Sequence, residues 1–188
     1  MSLDHAILGF LNYHPLSGYD LKKMFDHSVR HFWSADQSQI YRTLMRLYKR
    51  GWVAVNVIEQ TDRPDRKEYS ITPAGRVELR TWLEKIIEHN PPRSPELIQV
   101  FFSAQRSNEQ IITQLEQYIA ELRQVEAVYN QVPQQAKPYM EMIPSPRDHF
   151  FWLLTLECGK KSVHAQIEWM ESVIRRLKAG DYTLELTE

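Results

Sequence analysis

Apolar residues recur at intervals of three and four from the start of the chain. Leu3, Ile7, Leu8 and Leu11 share one helical face, with Ser2 available as N-cap, and that helix should stop before His14-Pro15 because a residue preceding proline disfavours helical backbone. A second helix is announced by PLSGYDL, where Ser17 can cap, Asp20 favours the positive helix end, and Leu21, Met24, Phe25 and Ser28 form the inner stripe. The third lies in SADQSQIYRTLMRLYKRGW, residues 34–52. There Ser34 with Gln37 fits a capping box, Asp36 competes as N-cap, Gly51 is the expected stop, and Ile40, Leu44 and Leu47 face inward. After Gly51 the period becomes two. Val53, Val55 and Val57 alternate with Ala54, Asn56 and Ile58, TDRPD turns the chain, and Lys67, Tyr69 and Ile71 alternate again, which predicts a β-hairpin. Thr72-Pro73 then opens a helix whose inner face is carried by Leu79, Trp82, Leu83 and Ile86.

Three helices, a hairpin and a helix, in that order, predict a winged helix-turn-helix domain over residues 1–89. Three prolines within Asn90-Pro91-Pro92-Arg93-Ser94-Pro95 mark a boundary, and a helical domain is expected over 95–180. In it Leu97, Val100, Phe101 and Ala104 mark a short helix. A longer one follows, with Ile111, Leu115, Tyr118, Leu122, Val125, Tyr129 and Val132 at steps of four and three. The four prolines of residues 133–147 predict a loop, and from Asp148 to about Lys178 Val163, Ile167, Met170, Ile174 and Leu177 repeat the seam. The expected fold class is mainly α with a small β-hairpin, a winged helix-turn-helix domain followed by an α-helical dimerisation domain.

Composition narrows the function without naming it. With 188 residues, 43% apolar and 25% charged, the chain is ordinary for a globular protein. No run of about 18 apolar residues and no basic segment leading a cleavable apolar core is visible, so a cytoplasmic location is expected. The single Cys158 excludes an internal disulfide and a zinc site of clustered cysteines, and its apolar setting, FFWLLTLEC, predicts a buried packing residue. The net charge is -1, but residues 30–80 hold 10 Lys and Arg against 6 Asp and Glu, whereas residues 91–188 hold 10 against 13. A basic face joined to an acidic module is a pattern that suits a polyanionic partner.

The outer face of the third helix sharpens this. Gln37, Ser38, Tyr41, Arg42 and Met45 lie together, and Gln and Arg can make bidentate contacts to base edges in a groove about 12 Å wide. Double-stranded DNA is therefore the expected partner, with Gln37, Ser38 and Arg42 reading bases and Tyr41, Arg46 and Lys49 holding phosphates. Arg63, Arg66 and Lys67 at the hairpin tip would add backbone contacts, weakened by Asp62 and Asp65. A polar helix face is more often simply solvated, and the alternative function is a winged-helix protein-interaction module whose residues 37–49 meet a protein. One winged helix buries too little surface for operator affinity. A homodimer is therefore expected, with Leu115, Leu122, Tyr129, Ile167, Met170, Ile174 and Leu177 at its seams. The plain alternative closes both seams in a monomeric antiparallel hairpin.

Other features carry less. His27 and His31 have metal-ligand spacing but no third ligand, so neither metal nor cofactor is expected. Tyr139, Phe150, Phe151 and Trp152 are the best candidates to hold a small aromatic effector, although such clusters are more often core. A Gly-rich phosphate loop, a nucleophile elbow and an HExxH helix are all missing, and an enzyme is not expected.

Taken as a set, Ile7-Leu8-Gly9, Pro15-Leu16-Ser17-Gly18-Tyr19-Asp20-Leu21, Ile40-Tyr41, Leu44, Leu47, Gly51, Arg66-Lys67, Tyr69 and Ile71-Thr72-Pro73-Ala74-Gly75-Arg76 resemble the PadR family of bacterial transcriptional regulators. The set covers roughly the first 85 residues, and the helical second half is similar to the branch typified by the AphA virulence activator. Many relatives carry proline after the Ile-Tyr pair, where this chain has Arg42. The resemblance implies a homodimer held mainly by C-terminal helices, bound to a pseudo-palindromic promoter site and most often repressing transcription.

Overall fold

In the computed structural model, which describes residues 2–30, 32–59, 65–87, 93–143 and 145–183, three helices open the chain: α1 (Ser2–Tyr13), α2 (Gly18–His27) and α3 (Gln37–Lys49). Strands β2 (Val53–Ile58) and β3 (Arg66–Ile71) pair antiparallel from Val53 opposite Ile71 to Ile58 opposite Arg66, and α4 (Pro73–Leu83) follows. A two-residue strand, β1 (Leu16–Ser17), adds to the free edge of β3, so the sheet order is β1-β3-β2. Two residues are too few to show a period of two, so the sequence pattern predicted the hairpin and not this third strand.

The inward stripes of the first three helices meet as expected. Ile7, Leu8, Leu11, Leu21, Phe25, Ile40, Leu44 and Leu47 are buried together with Val53, Tyr69, Ile71 and Leu79. Each such side chain contributes about 1.5–3 kcal/mol on leaving water. The ring of His5 stacks on Trp82 with centroids 4.5 Å apart and its Nε2 lies 3.0 Å from Glu78 Oε1, tying α1 to α4. The inner face predicted for α4 stops short, however. Leu79 is buried, whereas Leu83 is 67% and Ile86 97% exposed, because the helix ends at Leu83 with Glu84 as its cap. Helical spacing marks a face; a packing partner decides whether it is buried.

Contacts divide the chain into two compact units, Met1–Glu88 with Gln135–Ser145 and His89–Gln134 with Pro146–Glu188. The second contains α5 (Pro95–Phe101), a 3-10 turn (Ser103–Gln105), most of α6 (Asn108–Met142) and α7 (Pro146–Ala179). The loop expected over 133–147 is replaced by helix: α6 continues through Pro133 and Pro138 to Met142. An interior proline costs about 3 kcal/mol by removing one ladder bond and crowding the preceding turn. Here Tyr129, just ahead of Pro133, is buried against α7, and Gln134, Gln135, Ala136 and Lys137 are good helix formers. Packing and propensity together outweigh the proline penalty.

α6 and α7 run antiparallel. Asn108 Nδ2 donates to the Leu177 carbonyl at 3.1 Å, Arg123 Nη2 donates to Glu171 Oε1 at 2.9 Å, and a Cβ on Gly159 would lie 3.1 Å from the Tyr129 ring. Between them Leu115, Ile119, Tyr129, Leu156, Val163, Ile167, Met170 and Ile174 form one buried cluster, with Leu122 and Leu177 packed at its edge. The seven residues expected at a subunit interface are thus already packed within one chain. Both stripes are apolar and close in sequence, so each is the other's nearest partner. Cys158 also differs from expectation: it is exposed, because it stands two residues, about 200°, around α7 from buried Leu156.

Candidate nucleic-acid interface

The start of α3 is fixed by Asp36 rather than Ser34. Gln39 N–H donates to Asp36 Oδ1 at 2.7 Å and Asp36 N–H donates to Gln39 Oε1 at 2.9 Å, a complete capping box. This choice leaves the Gln37 and Ser38 side chains out of the box, exposed on the first turn. At the other end Gly51 takes φ of 70°, Gly51 N–H bonds to the Tyr48 carbonyl at 2.9 Å and Trp52 N–H to the Leu47 carbonyl at 3.0 Å. That double bond is a Schellman stop, which a side chain at position 51 would strain.

Between these ends, Ile40, Thr43, Leu44 and Leu47 are buried and Gln37, Ser38, Tyr41, Arg42, Met45, Tyr48 and Lys49 are exposed. From residue 37 to 50 the chain has no Asp or Glu and four cations, Arg42, Arg46, Lys49 and Arg50. Tyr41 is only partly free, since its ring lies over the start of α2: a Cβ on Gly18 would stand 2.6 Å from Tyr41 Cε1. Arg42 and Lys49 make no ion pair among the described residues.

Arg46 is the member of the expected set whose surroundings differ most. Its guanidinium binds the carboxylate of Asp4 on α1 through both Nη2 and Nε, and Nη2 also donates to Thr43 Oγ1 at 3.2 Å. Arg50 Nη1 reaches Asp4 Oδ2 at 3.5 Å while its guanidinium sits 5.0 Å above the Trp52 ring. Neither Asp4 nor Arg50 was singled out in the sequence, because a pairing 42 or 46 residues apart leaves no local signal.

In the wing, Arg63 lies outside the described residues. Arg66 is exposed but donates to Asp20 Oδ2 at 2.8 Å, and the Ser17 hydroxyl donates to the same oxygen at 2.6 Å. Lys67 is exposed on β3. Tyr19 and Lys23, not singled out from the sequence, are exposed on the first turns of α2, where the Lys23 ammonium stands 4.6 Å from the Tyr19 ring centroid. The signal was available: the first helix of a helix-turn-helix crosses the nucleic-acid backbone. Of the aromatic group, Phe150 and Phe151 are exposed and pack edge to face at 5.4 Å, while the Tyr139 side chain lies outside what is described, as does His31. Among the described residues no helix is long and apolar enough to cross a membrane.

Comparison with known proteins matches both halves. Residues 7–81 match the transcriptional regulator PadR-like family, and residues 92–178 match the virulence activator alpha C-terminal family. The negative transcriptional regulator PadR of Bacillus subtilis is 30% identical over 180 residues, covering 92% of this chain and 95% of that protein. A probable transcriptional regulator of Mycobacterium tuberculosis, Rv1176c, is 41% identical over 92 residues, and that match spans 49% of this chain and 49% of the relative. The crystal structure of Bacillus subtilis PadR in complex with operator DNA superposes with a TM-score of 0.80 at 24% identity, covering 94% of this chain and 99% of that one. With a near full-length relative and both halves accounted for, the chain belongs to the PadR-like family of transcriptional regulators, with a C-terminal half of the virulence-activator type.

Proposed function

We propose that the chain binds double-stranded DNA as a homodimer at a pseudo-palindromic promoter site and represses transcription by occluding it. The observation that carries this reading is the exposed face of α3: amides, a hydroxyl and two cations, Arg42 and Lys49, that have no ion pair among the described residues, with no carboxylate from residue 37 to 50. Gln37, Ser38 and Arg42 read base edges in the major groove, and Tyr41 and Lys49 hold phosphates. Lys67, Arg66 and Arg63 add backbone contacts, as do Tyr19 and Lys23 from α2. The solved Bacillus subtilis relative, bound to operator DNA, shares this fold and supports a DNA-binding role for it.

A geometric argument supports the dimer. One reading helix is too little, and two must stand one DNA turn, about 34 Å, or a multiple apart. Since Leu115, Leu122, Tyr129, Ile167, Met170, Ile174 and Leu177 are spent inside the hairpin, they shape the partner surface rather than meet it. The apolar faces left open include those of α5 and of the start of α7. No residue of α5 is buried, and Leu97, Ile98 and Phe101 on it are exposed, as are Phe102 and, on α7, Phe150, Phe151, Leu153 and Leu154. A small aromatic effector seated beside Phe150, Phe151 and Trp152 would act by changing the spacing of the reading helices.

Selection of bound fragments from a random duplex pool tests the reading. The expected result is two inverted half-sites at a fixed spacing, with binding that weakens steeply as salt rises, by a log-log slope near -0.9 per phosphate contact. An unenriched pool with a shallow salt dependence would instead support a protein-interaction module.

A further inference from the structure

Asp4 is 0% exposed, and a carboxylate taken out of water is tolerated only when its charge is matched. Its Oδ1 takes Arg46 Nη2, and its Oδ2 takes Arg46 Nε at 3.3 Å and Arg50 Nη1 at 3.5 Å. Both guanidiniums keep an open edge, with Arg46 34% and Arg50 46% exposed, so each has room to swing toward solvent once its anchor is lost. They are held, because releasing them would strand a buried charge. Arg42 and Lys49 on the same helix have no such anchor among the described residues.

We propose that Asp4 is a specificity-setting positioning residue: it withholds Arg46 and Arg50, two of the four cations of residues 37–50, from the phosphate backbone. DNA contact by α3 is then concentrated on Gln37, Ser38 and Arg42, where sequence is read, and the sequence-independent term is kept small. The same pairing fixes α3 against the first turn of α1, whose positive end favours a carboxylate there. This inference rests on the DNA-binding reading above.

The test is the salt dependence of full-length protein binding to a random-sequence duplex and to a selected one, followed by fluorescence anisotropy. Asp4→Asn keeps the side-chain shape and removes the anchoring charge. For this variant the slope on the random duplex is expected to steepen by about 0.9 for each arginine released, and affinity near 0.1 M salt to rise on the order of tenfold per arginine. The ratio of specific to random affinity should fall. Arg46→Gln in the native background should leave the slope where it was, because a withheld cation contributes no phosphate contact. An Arg46→Gln slope flatter by about 0.9, or an Asp4→Asn slope equal to that of the native chain, overturns the proposal. Should Asp4→Asn fail to fold by circular dichroism, Arg46→Gln and Arg50→Gln decide alone by the same criterion. A native chain with no salt-sensitive binding removes the DNA reading and this inference with it. A steep native slope with contrary variants removes the inference only.

Discussion

Gly75 sits in the first turn of α4 against the link between α3 and β2, and an added Cβ would stand 2.2 Å from the Trp52 carbonyl oxygen. That oxygen accepts from Thr72 N–H at 3.0 Å, so it is not free to give way. Gly75→Ala should destabilise the winged unit by about 1–3 kcal/mol, read as a lower unfolding midpoint in urea. On the reading face, Arg42→Ala should cost about 1–3 kcal/mol on a selected site and relax sequence preference, whereas Lys49→Ala should weaken selected and random duplexes alike. Identical responses of both duplexes to Arg42→Ala would remove its base-reading role. The Tyr69 phenol ionises above the ordinary tyrosine range, pushed up by burial and then by Tyr41 nearby. A raised value means that its contribution to stability is complete below the unfolded pKa, near 10.0, and is lost as pH climbs through the folded one. Alkaline unfolding followed by tyrosine absorbance should show this. Residues such as Leu44 and Gly51 were legible because helical period and a stop signal are local. Asp4 with Arg46 was not, since only the fold brings α1 and α3 together.

Among the elements, α3 and the β-hairpin were readable from alternation and caps, and α6 was readable only in part. Four prolines argued for a loop, and two of them lie inside the helix instead, exposed, at positions where neighbours supply the packing. Pro133→Ala should therefore raise the thermal stability of the full chain, because it restores a backbone donor and relieves crowding without removing a buried contact. An unchanged or lower melting temperature would mean that the proline is better suited to its backbone than the rule allows. Ile167→Ala, by contrast, opens a hole between α6 and α7 and should cost about 2–5 kcal/mol in stability. The seams were correctly located by their spacing of four and three. The spacing does not say which chain covers them, because an apolar stripe records that it is covered and carries no mark of its partner.

At the scale of the molecule, the order of the elements was legible from the sequence, and the faces proposed above to join two copies were not. The exposed residues of α5 make a specific claim. Phe101, 80% exposed, replaced by Asp should shift sedimentation from dimer to monomer while leaving helix content unchanged. A variant that still sediments as a dimer would place the contact elsewhere. α6 belongs to both units, and the assignment changes between Gln134 and Gln135, a point flanked by Pro133 and Pro138. Two rungs of the amide ladder are missing there by chemistry, whatever the surroundings do. Deuterium from heavy water should therefore enter the short stretch between the prolines sooner than the rest of that rod.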